Sequence, residues 1–278
     1  MAWLVWPMAP RWPDHRPVGV LFLASNFYSS AENPRGWFNQ PNLDITGPGG
    51  HERFKKALMD YADGSVAVLK RAGAQGVIVW DLEGEEFPHK TSYIGDSRLL
   101  GTLAPEMASV VDEFFKRFRD AGLRVGVTIR PQQLVFDHGL PRQTTVLDIK
   151  RVLLAKIDCA RTNWGATMFY IDSNDGIWRP DEVWQLRRLA AQRPDVLLIP
   201  EHHDFLYLAF SAPYVSLRNR TAPASALARK LFPRSFEALD ISDASPDQVA
   251  TAWHDGDILL FRAWYWNPDC ELLQTFKH

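Results

Sequence analysis

The chain has 278 residues, of which 46% are hydrophobic and 23% charged, so it can bury a large core and extended disorder is excluded. Its 31 basic and 33 acidic residues leave a formal net charge of −2, which excludes a non-specific polyanion binder. Because of this charge balance we do not expect nucleic acid as a partner. No apolar run in the sequence reaches transmembrane length, so we do not expect a membrane as a partner either.

The amino-terminal segment and the cysteines bear on the compartment. Residues 1–10 are apolar, but they carry no basic stretch and are interrupted by Pro7 and Pro10, which is a poor match to a signal peptide. Cys159 and Cys270 have no metal-type spacing and form no disulfide framework. We expect either a cytoplasmic protein or a mature secreted form.

Apolar runs and helical periods alternate along the chain. Strands are predicted, in chain order, at 18–26, 76–81, 123–131, 166–172, 195–201, 214–218, 236–241 and 257–264. Helices are predicted over 51–73, 104–122, 144–162, 179–192, 223–231 and 245–254. A polar segment rich in glycine, proline and asparagine, at about 27–50, follows the first strand.

The strand-like runs are continuously apolar, as in a parallel sheet that is covered on both faces. Eight strand–helix repeats in a chain of this length predict an α/β fold, a single (β/α)8 TIM barrel over residues 1–278 with a long loop after strand 1. The alternative is a doubly wound open sheet, which usually binds phosphate on a glycine-rich first turn. Here the first strand runs into "ASNFYSS", without GxGxxG, which favours the barrel.

Polar or aromatic residues end every predicted strand, whereas the segments that precede the strands carry few acids. In a TIM barrel the carboxyl ends of the strands surround the active site. This asymmetry therefore predicts an enzyme or a ligand-binding barrel. Carboxylates gathered around one pocket suit glycoside hydrolysis, and they also suit a divalent metal site.

Several of these groups have a structural interpretation as well. Glu201 could cap the next helix as a solvated carboxylate, and Asp81 and Glu83 could belong to a solvated acidic loop. Arg130 and Arg218 could be structural ion-pair partners. About half of the 11 tryptophans are expected in the core, and the others are candidate platforms for sugar rings.

The segments "YID", ending at Asp172, and "IPE", ending at Glu201, resemble the α-amylase clan of TIM-barrel glycosidases. The resemblance implies that Asp172 is the nucleophile and Glu201 the general acid/base, and that Asp240 or Asp243 stabilises the transition state. Tyr170 stands where the clan has an arginine, and no "NHD" follows strand seven. The match therefore covers the strand order and two carboxylates.

We therefore predict a glycoside hydrolase that acts on carbohydrate through Asp172 and Glu201, with retention of anomeric configuration and with no metal or cofactor. Neighbouring strands lie about 4.8 Å apart, which allows the ~5–5.5 Å carboxyl separation of a retaining enzyme. The predicted substrate-binding residues are Asn26, Trp80, Asp81, Glu83, Arg130, Asn174, Trp178, His203, Arg218, Asp240, Arg262 and Trp264. The alternatives are a metal-dependent barrel hydrolase or isomerase and a non-catalytic carbohydrate-binding barrel.

Overall fold

A computed structural model describes residues 11–40, 42–84, 94–138, 140–174, 180–202, 204–216 and 223–276. The strands of this part of the chain are β1 (Val18–Phe22), β2 (Gly76–Trp80), β3 (Arg124–Ile129), β4 (Gln133–Asp137), β5 (Leu140–Thr144), β6 (Met168–Ile171), β7 (Leu197–Pro200), β8 (Tyr214–Val215), β9 (Ala238–Asp240) and β10 (Ile258–Arg262). The helices are α1 (Gly50–Ala72), α2 (Leu100–Leu103), α3 (Pro105–Ala108), α4 (Val111–Asp120), α5 (Ile149–Trp164), α6 (Pro180–Gln192), α7 (Ala226–Leu231) and α8 (Pro246–Asp255).

Eight of the described strands form one parallel sheet in the order β7-β6-β3-β2-β1-β10-β9-β8. Because β1 pairs with both β2 and β10, the first and last strands of the chain lie side by side and the sheet curls into a barrel. Between β7 and β8, the N–H of Ala212 donates to Leu198 O at 2.9 Å and bridges the gap. The prediction of a (β/α)8 barrel is thus confirmed.

Two apolar clusters divide the core, because side chains alternate across each strand. Along β6, Met168 and Tyr170 belong to the cluster that fills the barrel. Phe169 and Ile171 belong to the larger cluster between the barrel wall and the helices. The alternation thereby determines which strand-end residues point into the barrel mouth.

Two differences from the sequence prediction concern residues 104–144. Residues 133–144, for which the sequence predicts no strands, form the antiparallel hairpin of β4 and β5. The helix predicted over 104–122 is divided into α3 and α4, because Val110 has φ −129°, outside the helical region. Among the described residues, no helix has both the length and the apolar character needed to cross a membrane.

The long segment between β1 and α1 is folded around one buried asparagine. The side chain of Asn33 donates to Trp37 O and Gln40 O and accepts the N–H of Trp37. The fully buried Trp37 in turn donates its indole N–H to Glu106 at 2.8 Å. These bonds fix the segment against the barrel at the carboxyl ends of the strands, where it contributes Asn39 to the cavity described below.

A buried ionic cluster lies between α5 and the carboxyl ends of β2 and β3. Lys156 is fully buried, and its Nζ lies 3.7 Å from Asp96 Oδ2. Arg98 donates two bonds of 2.7 Å to the Asp96 carboxylate. The buried Glu83 completes the cluster: burial, reinforced by the charge of Asp96 and opposed by that of Lys156, raises its pKa to about 7.

The raised pKa of Glu83 predicts a pH dependence of stability. Its folded-state pKa of about 7 exceeds the ordinary 4.5, so the folded protein binds this proton more tightly than the unfolded chain. The free energy of unfolding should therefore fall as the pH rises between these values, by roughly 3 kcal/mol. Urea titrations from about pH 4 to about pH 7.5 should show that this loss is absent from Glu83→Gln.

Glu52→Gln is the control, since it removes an exposed carboxylate from the first turn of α1. It should leave the pH profile of the wild type unchanged. A Glu83→Gln profile that runs parallel to the wild-type profile would show that folding does not shift the pKa of Glu83.

Candidate active site

The register of the sheet places Asp172 and Glu201 side by side. β6 and β7 pair through Ile171 and Pro200, so the next residues, Asp172 and Glu201, leave the barrel at the same height. The N–H of Glu201 donates to Ile171 O at 3.1 Å, which continues the ladder. Two residues before them, Tyr170 and Ile199 point into the barrel, and the two-residue period turns both carboxylates the same way.

Ser173 bonds to both carboxylates. Its hydroxyl donates to Asp172 Oδ1 at 2.5 Å, and its backbone N–H donates to Glu201 Oε2 at 2.7 Å. Ser173 has φ +55°, a left-handed conformation that costs a serine about 1–3 kcal/mol. This turn directs the amide at the neighbouring strand, so the strained residue holds the two carboxyl groups in a set orientation.

Two residues that follow β3, Arg130 and Gln132, contact Asp172 and Ser173 from the strand on the other side of β6. Arg130 Nε lies 3.2 Å from Asp172 Oδ1, and its Nη2 donates to Oδ2 at 3.4 Å. Both side chains are mostly buried, at 13% and 14% exposure, so solvent screens this pair less than a surface ion pair. The amide of Gln132 donates to Ser173 O at 3.0 Å.

Two tyrosines inside the barrel contact acidic groups of the mouth. Burial raises the pKa of Tyr170 far above its ordinary value, and the charge of Glu201 acts in the same direction. The Tyr170 hydroxyl therefore stays protonated beside Glu201. Tyr214 donates to Asp240 Oδ2 at 2.8 Å, and its ring meets that of Tyr170 edge-on at 5.2 Å.

A cavity of about 540 Å³ opens above these groups. Its polar lining includes Asp81, Asp172 and Glu201, and the lining residues are Phe22, Ala24, Ser25, Tyr28, Asn39, Trp80, Asp81, Tyr170, Asp172, Glu201, Tyr214 and Trp264. Asp81 follows β2 with φ +58°, and this left-handed turn brings a third carboxylate to the cavity.

A second cavity of about 460 Å³ adjoins the first and contains Asp240, Asp243 and Arg262. The two cavities share four aromatic side chains: Phe22, Trp80, Tyr214 and Trp264. The Arg262 guanidinium lies 5.2 Å from the centre of the Trp264 ring, over its face. The site is therefore a two-part cleft with an aromatic wall between its parts.

The structure brings most of the predicted site residues together. Asp172, Glu201, Trp80, Asp81 and Trp264 line the first cavity, Asp240 and Arg262 line the second, and Arg130 contacts Asp172. Trp178, His203 and Arg218 lie outside the described residues, as does the side chain of Asn26.

Two predicted substrate-binding residues occupy interior positions instead. Glu83 is 1% exposed and belongs to the ionic cluster behind β2 and β3. Asn174 is also 1% exposed; it accepts the N–H of His202 and donates to Tyr207. Neither side chain is open to the cleft in this structure, and both assignments remain predictions.

Sequence reasoning also missed groups that contact the carboxylates. Tyr170 lies one strand period before Asp172, so the alternation of β6 could have identified it. Ser173 could not have been found in this way, because its role depends on a left-handed backbone. Among the described residues, no group of three or more His, Cys, Asp or Glu side chains is arranged to hold a metal ion.

No protein-family model matches the chain, and no curated protein sequence matches it. Among solved structures, an α-amylase from Lactobacillus plantarum matches with a TM-score of 0.51 and 11% identity, covering 88% of this chain and 70% of that one. α-L-Fucosidase isoenzyme 1 from Paenibacillus thiaminolyticus gives 0.49 and 13%, covering 93% and 71%. A maltogenic α-amylase from Thermotoga neapolitana gives 0.47 and 14%, covering 81% of this chain.

The chain spans only 59% of the length of that maltogenic α-amylase structure. The likeness to the Lactobacillus α-amylase, at 11% identity, concerns the backbone and not the activity. The fold of this chain is the one found in TIM-barrel glycoside hydrolases.

Proposed function

We propose that the protein is a glycoside hydrolase that cleaves glycosidic bonds with Asp172 as nucleophile and Glu201 as general acid/base. The observation that carries this proposal is the placement of these two carboxylates at equal height on adjacent strands, at one aromatic-walled cavity. A carboxylate pair of this kind on either side of a sugar carbon is what glycoside hydrolysis requires.

The first step transfers the proton of Glu201 to the glycosidic oxygen while the bond from that oxygen to the anomeric carbon breaks. Asp172 forms the new bond to the carbon, giving a glycosyl ester. In the second step Glu201 takes a proton from water, and the resulting oxygen displaces Asp172. The bond from the Ser173 N–H to Glu201 helps to fix the plane in which the proton of Glu201 is given and taken.

Arg130 supplies the positive charge that the resemblance to the α-amylase clan implies at position 170. Tyr170 occupies that position here, and its hydroxyl lies beside Glu201. The guanidinium of Arg130 reaches Asp172 from the neighbouring strand, at 3.2 Å. It orients the attacking carboxylate and stabilises its negative charge while the sugar is bound.

The aromatic wall supports carbohydrate as the substrate class. Trp80 and Trp264 are shared by both cavities, and Phe22 packs against each of them at ring distances of 5.2 and 5.9 Å. A flat apolar surface beside carboxylates matches a sugar, which presents an apolar ring face and a rim of hydroxyls. Asp240 and Arg262 would bind hydroxyls in the second cavity, and Asp240 or Asp243 would stabilise the transition state.

The acid/base role of Glu201 is tested by Glu201→Gln on a glycoside found by screening nitrophenyl glycosides and polysaccharides. Turnover of a natural glycoside should fall about 10²–10⁴-fold, because the amide cannot protonate the leaving oxygen. The loss should be smaller with a nitrophenyl leaving group, which departs without protonation. Steady-state kinetics on both substrates measure the difference, and Glu52→Gln is the matched control. An equal loss on both substrates in kcat/KM, which reports the first step, would remove Glu201 from protonation of the leaving oxygen.

Chelation separates this proposal from the metal-dependent alternative. A mechanism carried by two carboxylates needs no Lewis acid, so turnover should survive exhaustive treatment with EDTA. Loss of turnover that a single divalent ion restores would instead assign Asp172 and Glu201 to a metal site.

The stereochemistry tests the nucleophile. If Asp172 forms a glycosyl ester, two displacements at the anomeric carbon should retain its configuration, and NMR of the first-formed sugar should show the anomer of the substrate. Retention also requires carboxyl groups about 5–5.5 Å apart, rather than the ~6.5–9.5 Å that leaves room for water in an inverting enzyme. The opposite anomer would make Asp172 a general base.

A further inference from the structure

We propose that Lys156 of α5 is a positioning residue, which sets the geometry of the carboxylate pair through the loop after β3. The effect on turnover rests on the proposed function, whereas the effect on the loop does not. Lys156 lies outside the cleft and is fully buried, so it acts only through the residues that it contacts.

The ammonium group of Lys156 binds the loop by two backbone carbonyls. Its Nζ donates to Arg130 O at 2.7 Å and to Gln132 O at 2.9 Å. The residue between them, Pro131, has no N–H, so this turn lacks one of the backbone donors that usually fix a loop. A rigid donor from α5 replaces it.

The two residues held in this way are those that reach the carboxylate pair. The Arg130 side chain bonds to Asp172, and the Gln132 side chain donates to Ser173 O at 3.0 Å. Ser173 in turn bonds to both Asp172 and Glu201. A continuous series of direct contacts therefore leads from Lys156 to both carboxylates.

The cost of burying Lys156 indicates that its position matters. Burial lowers the pKa of Lys156 to about 8, against the opposing charges of Asp96 and Glu83. An apolar side chain of similar length would fill the same space without desolvating a charge. What it could not supply is the pair of directed donors to Arg130 O and Gln132 O.

The test compares Glu83→Gln with the double variant Glu83→Gln/Lys156→Met. The double variant replaces both Glu83 and Lys156 with neutral side chains and leaves the buried Asp96 paired with Arg98, which avoids an uncompensated buried charge. The single variant keeps the ammonium and its bonds to the loop. The two proteins thus differ only in the group proposed to position Arg130 and Gln132.

The rate of amide hydrogen exchange at Ser173 tests the positioning role and needs no substrate. In the double variant the Ser173 amide should exchange about tenfold faster than in Glu83→Gln, because the bond to Glu201 opens more often. Amides of α8, on the other side of the barrel, should be unchanged. Equal exchange at Ser173 in the two proteins would overturn the proposal.

Kinetics on the glycoside found by screening give the second measurement. The double variant should lose about 10²-fold in kcat with little change in KM, since a displaced carboxylate pair still binds the sugar. If the wild type cleaves no glycoside but the Ser173 amide exchanges faster in the double variant, the positioning role stands and only the proposed function is overturned.

If the double variant is unfolded, Gln132→Leu breaks the same series of contacts one step later, between Gln132 and Ser173. Ser173 exchange equal to that of the wild type would then contradict the proposal.

Discussion

The parallel register of three neighbouring strands is the constraint on which the site depends. Ile129 of β3 pairs with Ile171 of β6, which pairs with Pro200 of β7. One residue further along each strand stand Arg130, Asp172 and Glu201, at a common height and on one side of the sheet. A slip of one residue in either pairing would turn one of these charges towards the helices, where the surrounding cluster is apolar. Core packing on both faces of the barrel therefore also maintains the geometry of the cleft.

Positive φ angles directly after two strands point groups at the cleft that an extended backbone would point elsewhere. Asp81 and Ser173 each follow a strand directly and adopt φ +58° and +55°. On an extended backbone, Asp81 would follow Trp80 onto the outer face of the sheet, since Trp80 points inward. The left-handed turn brings its carboxylate to the cavity instead. At Ser173 the same kind of turn directs a backbone N–H at the next strand. Asp81 lines the cavity and Ser173 bonds to two residues that line it, and backbone strain of this kind is common at functional sites.

The sequence predicted the barrel and the two carboxylates because both depend on local patterns. Continuous apolar runs identify parallel strands, and an acid that follows such a run marks its carboxyl end. Glu83 and Asn174 show where this reasoning stops. Each lies two residues past a site acid, yet the chain has already turned into the protein, where Asn174 bonds to Tyr207 and Glu83 lies near Lys156. No pattern marks Lys156 either, because it lies on an apolar helix face among residues such as Leu153 and Ile157.

In the proposed mechanism, Arg130 of β3 takes the place of the arginine that the α-amylase clan has where this chain has Tyr170. An attacking carboxylate needs a nearby positive charge, and the strand that supplies this charge does not matter. β3 and β6 are adjacent, so Arg130 reaches Asp172 across the ladder. Position 170 is thereby free for a phenol that lies beside Glu201 and packs at 4.6 Å against Trp80. Moving the guanidinium to β3 makes the site depend on the loop that contains Pro131. That dependence gives a physical reason for burying an ammonium group in α5.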